Sequence, residues 1–514
     1  MMPLQSSSHP WRLADLLDGF AQVPPGGDVM IGGIDLDSRR LDAGALFLAC
    51  RGANTHGLDF AKGARARGIA AIAAEPDDRW DAGAISELAI ELGVPIVLVP
   101  DLGAKISALA DRFFGEPSAA LEVVGVAGRN GKTRVTHYLA QALEAELKCG
   151  LIGILGTGFP GDLSESTHTT LDPVTLQETL SLLCHDGARA VAMEISSHAL
   201  SQGWASGVRF SCAVFTNLSR DHLDPHGDME SYGAAKHQLL CMPNLPWAVL
   251  NLDDPLSREV GDDLAPGTRI AYYSLQRDAR RPARCDLWVR ASEVTPSLKG
   301  LHLRLATSAG MGELDVDLLG RFNAANLLAV LTVMLSRGLP LERALRELAR
   351  VRGVPGRMER FGDDGQPLVV VDYAHTPHAL EQALVNLREH ARGRIHCVVG
   401  CGGERDRGKR PLMGGIAERL SDRVILTDDN PRGEDGDAII EEILAGMESP
   451  NAVGVERQRA YAIRLAIATA AEQDLVLIAG KGHEITQDMG DLKVHFSDRA
   501  QVLQVLQERG GIRA

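Results

Sequence analysis

Short apolar runs recur along the chain, most of them closed by Gly, Asp or Ser, with stretches of helical periodicity between them. In the first hundred residues, 46–50, 69–74 and 96–100 read as strands, and 11–20 reads as an amphipathic helix. Residues 121–127, 190–195, 212–217 and 247–251 read as a second group of strands. Helical patterns such as Val135, Leu139, Leu143 and Leu147 run between them. The segment Arg352-Gly353-Val354-Pro355-Gly356-Arg357 reads as a linker by its glycine and proline content. Beyond it, 368–371, 395–399, 424–426 and 475–479 restart the alternation. Strands alternating with helices predict the α/β class with parallel sheets, whose ligand groups gather at the carboxyl ends of the strands. A chain of 514 residues suggests about three domains, placed here at 1–103, 104–351 and 352–514.

The most informative junction follows the strand at 121–127. Gly125-Val126-Ala127-Gly128-Arg129-Asn130-Gly131-Lys132-Thr133 joins it to a helix. Strand, glycine-rich turn, Lys-Thr and helix form the arrangement that wraps nucleotide phosphates. Backbone N–H groups and the helix N-terminus face the anion, Lys132 adds a point charge, and the Thr133 hydroxyl suits Mg²⁺. The strict G-x-x-x-x-G-K-T spacing puts glycine at position 126, where this chain has Val126. A glycine turn with an incidental Lys-Thr is the plain alternative. The junction predicts use of ATP or GTP.

Composition narrows the partners. Lys+Arg 53 against Asp+Glu 68 gives a net charge of −15, which argues against general nucleic-acid binding. Arginines cluster at Arg405-Asp406-Arg407-Gly408-Lys409-Arg410 and between 277 and 284. A solvated surface is the default for both, although the glycine-rich setting of the first also fits a pocket for small anions. No apolar stretch approaches the roughly 18 residues of a membrane span. The first 17 residues lack a basic segment followed by an apolar one, so a cytoplasmic protein is expected. Eight cysteines are scattered, and nothing near the closest pair, Cys397 and Cys401, completes a zinc site. Most read as reduced core thiols.

Other motifs follow other strands. Met193-Glu194-Ile195-Ser196-Ser197-His198 ends one with a carboxylate, two hydroxyls and an imidazole. Facing a phosphate loop, Glu194 and His198 suit a Mg²⁺ shell; the alternative is a capped strand end with a hydrogen-bonded histidine. Asn217-Leu218-Ser219-Arg220-Asp221-His222-Leu223-Asp224 is equally a polar loop or a site, and Lys236, on a predicted helix, is by itself a solvated charge. The third region carries Asp372-Tyr373-Ala374-His375, Asp429-Asn430-Pro431-Arg432 and Gly480-Lys481-Gly482-His483-Glu484. Asn-Pro enforces a turn or extended backbone, which leaves Arg432 unexplained. A guanidinium on a rigid turn suits bidentate carboxylate recognition, and Glu484 suits an ammonium. A site with both fits an amino acid.

Together these motifs resemble the Mur ligase family of bacterial cell-wall synthesis, from Leu36-Asp37-Ser38-Arg39 to Ser497-Asp498-Arg499. Asp-Asn-Pro-Arg with Gly-Lys-Gly-His-Glu is similar to its diaminopimelate-adding branch. The resemblance implies a small N-terminal α/β domain for UDP-MurNAc-peptide, a central P-loop ATPase-like parallel sheet and a C-terminal Rossmann-like domain admitting the amino acid. It implies an ATP-dependent ligase that phosphorylates the D-glutamate γ-carboxylate of UDP-MurNAc-L-Ala-D-Glu. The amine of meso-2,6-diaminopimelate then attacks the acyl phosphate. By resemblance, Gly128, Arg129, Asn130, Gly131, Lys132, Thr133 and Arg134 bind ATP, with Asn323 and Asn326 near adenine and Arg357 and Asp372 near phosphates and ribose. Leu36, Ser38, Ala53, Asn54 and Thr55 are implied at the uridine diphosphate, and Thr169, Thr170, Ser196 and Gln202 at the muramoyl-peptide. Lys132, Glu194, His198 and Lys236 are implied as catalytic. Mg²⁺ is implied on Thr133, Glu194, His198 and Lys236, the last carbamylated so that a cation becomes a carboxylate-like ligand. Arg405, Asp429, Asn430, Pro431, Arg432, Gly480 and Glu484 are implied to hold diaminopimelate, with Arg432 and Asn430 on its distal carboxylate. The implied partners are these small molecules, without nucleic acid or membrane, for a monomer.

Three positions depart from the family pattern. Arg129 stands where Thr or Ser is usual, Arg134 where Thr is usual, and Trp204 where an arginine contacting the peptide is expected. They motivate a rival reading, a degenerate paralogue that binds precursor without catalysis. The lysine-adding sister ligase and folylpolyglutamate synthase are the enzymatic rivals. The quartet at 429–432 argues against the first. The combination of an N-terminal uridine-nucleotide domain with these C-terminal motifs argues against the second.

Overall fold

The computed structural model describes residues 10–52, 54–164, 169–217, 238–363 and 365–511. Its contacts divide the chain into two units, Met1–Ala271 with Pro282–Asp286, and Tyr272–Arg281 with Leu287–Ala514.

In the first unit Gly33–Asp35, Ala45–Ala49, Ala71–Ala74 and Ile96–Leu98 form a parallel sheet in chain order. Leu46 and Leu48 pack with Leu13, Leu16 and Phe113 on one face; Phe47 and Ala49 pack with Leu58 and Ile85 on the other. Burial on both faces is why these strands read as continuous apolar runs. The helix expected over 11–20 shrinks to Leu13–Leu16, because Trp11–Arg12 pairs with Met30–Ile31. Leu13 N–H is drawn to Val29 O, and Gly19 at φ +77° turns the chain away.

The same unit holds five further parallel strands in the order Cys149–Gly153, Ala190–Glu194, Glu122–Ala127, Phe210–Phe215 and Trp247–Asn251. Antiparallel Gly156–Phe159 and Asp162–Ser164 extend the edge beside Cys149–Gly153. Glu122–Ala127 comes first in the chain yet lies between the third and fourth strands. Its carboxyl end is therefore the switch point at which open parallel sheets bind ligands.

The second unit opens with the antiparallel strands Leu287–Ser297, Gly300–Thr307 and Gly310–Val316, against which helix Arg321–Ser336 packs. A six-stranded sheet then runs Glu359–Phe361, Leu368–Asp372, Leu475–Ala479, Ile395–Val399, Arg423–Leu426 and Gly454–Val455, parallel except for the first pair. Leu368, Val370 and Leu477 pack with Leu380 and Leu384; Val369, Val371 and Ile478 face the opposite way, onto Ile463 and Val505. That period of two is what helices on both faces of a sheet produce. The segment expected as a linker is a packed turn, with Val354 fully buried and Tyr373 N–H donating to Gly356 O. All eight cysteines are free, and Cys241 is exposed rather than in the core. Among the described residues no helix is long and apolar enough to cross a membrane.

Buried histidines predict a loss of stability in acid. His390 Nε2 accepts Gly320 N–H at 2.8 Å while Nδ1 bonds Ser297 O at 2.7 Å, so the partners select the neutral ring. Burial pushes its pKa below the ordinary 6.5. His137 is likewise pushed down by burial, to about 4. At these two histidines the unfolded chain binds more protons than the folded one below about pH 6.5, so the stability they contribute falls as the pH drops from there. A His390→Asn variant should melt lower than wild type at pH 7.5, yet with a shallower loss between pH 6.5 and 5. Parallel melting curves for the two proteins across that range would refute this role.

Candidate active site

The phosphate-type loop leaves the first unit's switch point. Glu122–Ala127 pairs on both sides through Val126, with Glu194 on one neighbour and Val214 on the other. The strand therefore continues past 126, and the chain first departs at Gly128, φ +143°. This accounts for Val126 in place of the glycine that strict spacing expects. A Cβ on Gly128 would overlap Thr216 Oγ1, so the close approach of these strand ends requires glycine. The neighbouring strand end ties the loop down. Arg129 N–H donates to Asn217 O at 2.9 Å, Asn130 N–H to Asn217 Oδ1 at 3.1 Å, and the Thr216 hydroxyl to Asn130 O at 2.7 Å. Helix Lys132–Leu143 begins after Gly131, and the Lys132 ammonium bonds Gly128 O at 2.9 Å and Arg129 O at 3.3 Å. Arg129 and Arg134 are half-buried at this loop.

Glu194 ends the adjacent strand at 1% exposure. Its Oε2 accepts the Thr133 hydroxyl at 3.0 Å and its Oε1 accepts Ile154 N–H at 3.1 Å. The Thr170 hydroxyl donates to Glu194 O at 3.1 Å and accepts Ser196 N–H at 2.9 Å. Ser196 in turn caps Ser197–Ser201. Thr133, Thr170, Glu194 and Ser196 are thus brought together. Exposed His198 lies edge-on to Trp204, with ring centroids 5.3 Å apart, and Thr169 and exposed Gln202 flank the same segments. A hydroxyl beside a buried carboxylate is a hard oxygen pair of the kind Mg²⁺ takes together with phosphate oxygens and water. Among the described residues no three His, Cys, Asp or Glu side chains cluster as a ready-made metal site. Lys236, Ala53 and 218–224 lie outside the described residues.

Leu36 and Ser38 follow the strand Gly33–Asp35, and Asn54 and Thr55 are exposed. Arg40, which the sequence did not single out, reaches from this turn to Asp35 at 3.1 Å and to the Thr175 hydroxyl at 3.1 Å. Burial pushes the Asp35 carboxyl up, opposed by Asp37 N–H and by Arg40.

In the second unit the strand ends at Asp372, Val399, Leu426 and Ala479 carry the remaining motifs. Asp429 and Asn430 are buried, and burial pushes the Asp429 carboxyl up. Among the described residues Asp429 Oδ2 has no hydrogen-bond partner, and it faces Gly480, where at φ +119° any Cβ would overlap it. Fully buried Arg459 lies beside that glycine, bonded to Asp498 at 2.7 Å and Ala479 O at 2.9 Å. Asn430 Oδ1 accepts the Lys481 ammonium at 2.8 Å and Asp488 N–H at 2.9 Å, while Nδ2 donates to Glu484 Oε2 at 3.0 Å. Pro431 leads to Arg432 at φ +50°, a costly conformation of the kind that collects at functional sites. Arg432 N–H donates to Asp488 O at 3.0 Å and Nη1 to Gly403 O at 2.7 Å. A Cβ on Gly402 would lie 2.9 Å from Arg432 Nη1 and 3.7 Å from Arg405 Cγ, so both arginines flank one glycine.

Around the neighbouring strand end, Asp372 Oδ2 accepts Met358 N–H at 2.7 Å and the Arg357 guanidinium lies 4.7 Å from the Tyr373 ring centre. Asn323 and Asn326 are buried at the start of their helix, Asn326 Nδ2 donating to Asn323 Oδ1 at 3.2 Å. Asp488 and Arg459 carry no site role in the sequence reading, and Asn217 was read there only as the start of a segment that was equally a polar loop or a site; their partners are distant in the chain, and no spacing rule connects them.

Three family models match this chain. The Mur ligase middle domain matches 126–334, the glutamate ligase domain of Mur ligases 356–482, and the Mur ligase family catalytic domain 30–114. The UDP-N-acetylmuramoyl-L-alanyl-D-glutamate–2,6-diaminopimelate ligase of Alkalilimnicola ehrlichii is 49% identical over 509 residues, 97% of this chain and 99% of that protein. The chain belongs to the Mur ligase family. The ligase of the same name from Pseudomonas aeruginosa is 46% identical over 480 residues, 93% of this chain and 96% of that one. A solved structure of such a ligase is similar with a TM-score of 0.73 at 32% identity, over 98% of this chain and 100% of that one. In this Mur ligase the phosphate loop lies just inside the matched middle domain. Asn430, Arg432 and Lys481 fall within the glutamate ligase match, and Glu484 and Asp488 just beyond its end.

Proposed function

We propose that this Mur ligase joins meso-2,6-diaminopimelate to the D-glutamate γ-carboxylate of UDP-MurNAc-L-Ala-D-Glu at the expense of ATP, in the cytoplasmic synthesis of peptidoglycan precursor. The observation that carries the amino-acid end of this reading is the pair Arg405 and Arg432 about Gly402, with the Glu484 carboxylate tied to the same turn through Asn430. Two guanidiniums and a carboxylate complement a diamino diacid better than lysine, which has a single carboxylate. Likeness over nearly the full length to ligases of that name supports the remainder.

The phosphate loop serves ATP. Loop N–H groups and Lys132 stabilise charge on the γ-phosphoryl group as a γ-carboxylate oxygen of D-glutamate attacks phosphorus and ADP departs. The amine of diaminopimelate then attacks the acyl carbon, forming the amide bond, losing a proton and expelling phosphate. The Thr133 hydroxyl and Glu194 would hold Mg²⁺, with His198 and a carbamylated Lys236 completing the set; when bound, the ion neutralises phosphate oxygens. Leu36, Ser38, Asn54 and Thr55 take the uridine diphosphate, and Thr169, Thr170, Ser196 and Gln202 the muramoyl-peptide. Asn323 and Asn326 take the adenine of ATP, and Arg357 and Asp372 its phosphates and ribose.

Phosphate release with UDP-MurNAc-L-Ala-D-Glu, ATP and either amino acid tests this directly. Diaminopimelate should exceed lysine by roughly 10³-fold or more in kcat/KM, since a site built for a polar group strongly rejects substrates lacking it. Equal use of lysine would remove the specificity. No release with any amino acid would favour the binding-only paralogue.

A further inference from the structure

We propose that Lys481 is a positioning residue for the amino-acid site: its buried ammonium bonds Asn430 Oδ1 and Glu484 Oε2 together, presetting both for the incoming diamino acid. This rests on the function proposed above and goes beyond it, because the motif reading assigns Lys481 no role. The geometry supplies one. Lys481 has 0% exposure, with Asn430 at 2.8 Å and Glu484 at 2.7 Å. A buried ammonium is tolerated only where acceptors compensate its lost hydration, and these two are its compensation.

The consequence for Asn430 is a fixed amide. Asparagine oxygen and nitrogen are interchangeable in shape, so partners decide the orientation. Here Lys481 Nζ and Asp488 N–H are both donors, and both meet Oδ1. Nδ2 must therefore face Glu484, as it does at 3.0 Å. The consequence for Glu484 is a carboxylate with one oxygen committed. Oε2 takes donors from Lys481 and Asn430, the side chain remains half-buried, and among the described residues no hydrogen bond to Oε1 is seen. Oε1 is then the edge that meets a substrate ammonium, at a place set by Lys481 before binding. Such presetting improves affinity by removing the cost of ordering on binding. The Lys481 charge also acts on buried Asp429, alongside Arg459.

Lys481→Met keeps an unbranched apolar stem, one atom shorter, while deleting both donated bonds. The KM for diaminopimelate should rise roughly ten- to a hundredfold, the loss of charge-assisted bonds to two groups, while the KM for ATP stays within about twofold. Combined with Glu484→Gln, it should cost less than the product of the two single effects, because both act on one carboxylate. Lys481→Gln, which keeps a polar end, serves as the second variant should the methionine form prove too unstable, with the same split between KM values expected. A merely structural lysine would lower the melting temperature and the active fraction without moving KM, and that result overturns the proposal. So do equal rises in KM for both substrates. Wild-type enzyme that fails to use diaminopimelate would instead defeat the functional reading, before any variant is measured.

Discussion

Replacing Lys132 by methionine should lower turnover by roughly 10³-fold while leaving the melting temperature close to wild type. The Lys132 ammonium is held over the loop by the carbonyls of Gly128 and Arg129, at the first turn of the helix Lys132–Leu143. Phosphoryl transfer depends on positioned charge more than on covalent help, so the point charge is worth more in the transition state than in the ground state. The expected pattern is a fall in kcat with a smaller change in the KM for ATP. Methionine keeps an unbranched apolar side chain with good helix propensity at the helix start, which is why stability should hold. Arg129 and Arg134 supply two further cations at this loop, and they make the experiment discriminating. If single-turnover ADP formation in Lys132→Met falls less than about tenfold, these arginines carry the phosphate charge and the assignment of Lys132 is wrong.

The α/β alternation was legible because strands buried on both faces leave continuous apolar runs. Residues 475–479 were read as a strand and form one, and 368–371 extends by a single residue to Asp372. Helical periodicity at 11–20 misled because it records side-chain pattern, whereas the competing backbone partners at Val29 to Ile31 lie beyond that window. Glycine and proline at 352–357 marked a turn correctly but said nothing of its burial. The glycine-rich loop and the quartet at 429–432 stood out in the sequence because their polar groups are contiguous. The bonds that Asn217 makes under the loop, Asp488 behind Arg432 and Arg459 to Asp498 could not be read there, since each meets its partner only after the sheet closes. Lys481 stood in a recognised motif, yet only the folded structure shows it buried against Asn430 and Glu484.

Arg432→Ala should cut kcat/KM for diaminopimelate by about 10²-fold or more, leave the KM for ATP nearly unchanged, and narrow the preference over lysine by the same factor. Truncating one partner of a largely desolvated charge pair costs about 2–5 kcal/mol, which sets that scale. The substitution is clean on two counts. Alanine retains a Cβ at φ +50°, so the backbone strain of the turn is the same before and after. Asp488, 3.9 Å from Arg432 Nε, keeps Lys493 at 3.8 Å and is not left as an orphaned charge. Arg432→Lys should recover only part of the loss, because an ammonium cannot present the planar fork that grips a carboxylate at two points. Lysine as substrate has no group for Arg432 to hold, so its low kcat/KM should scarcely move. Equal proportional losses for the two amino acids would mean that Arg432 shapes the turn rather than reads the second carboxylate, and selectivity would then have to be sought at Arg405.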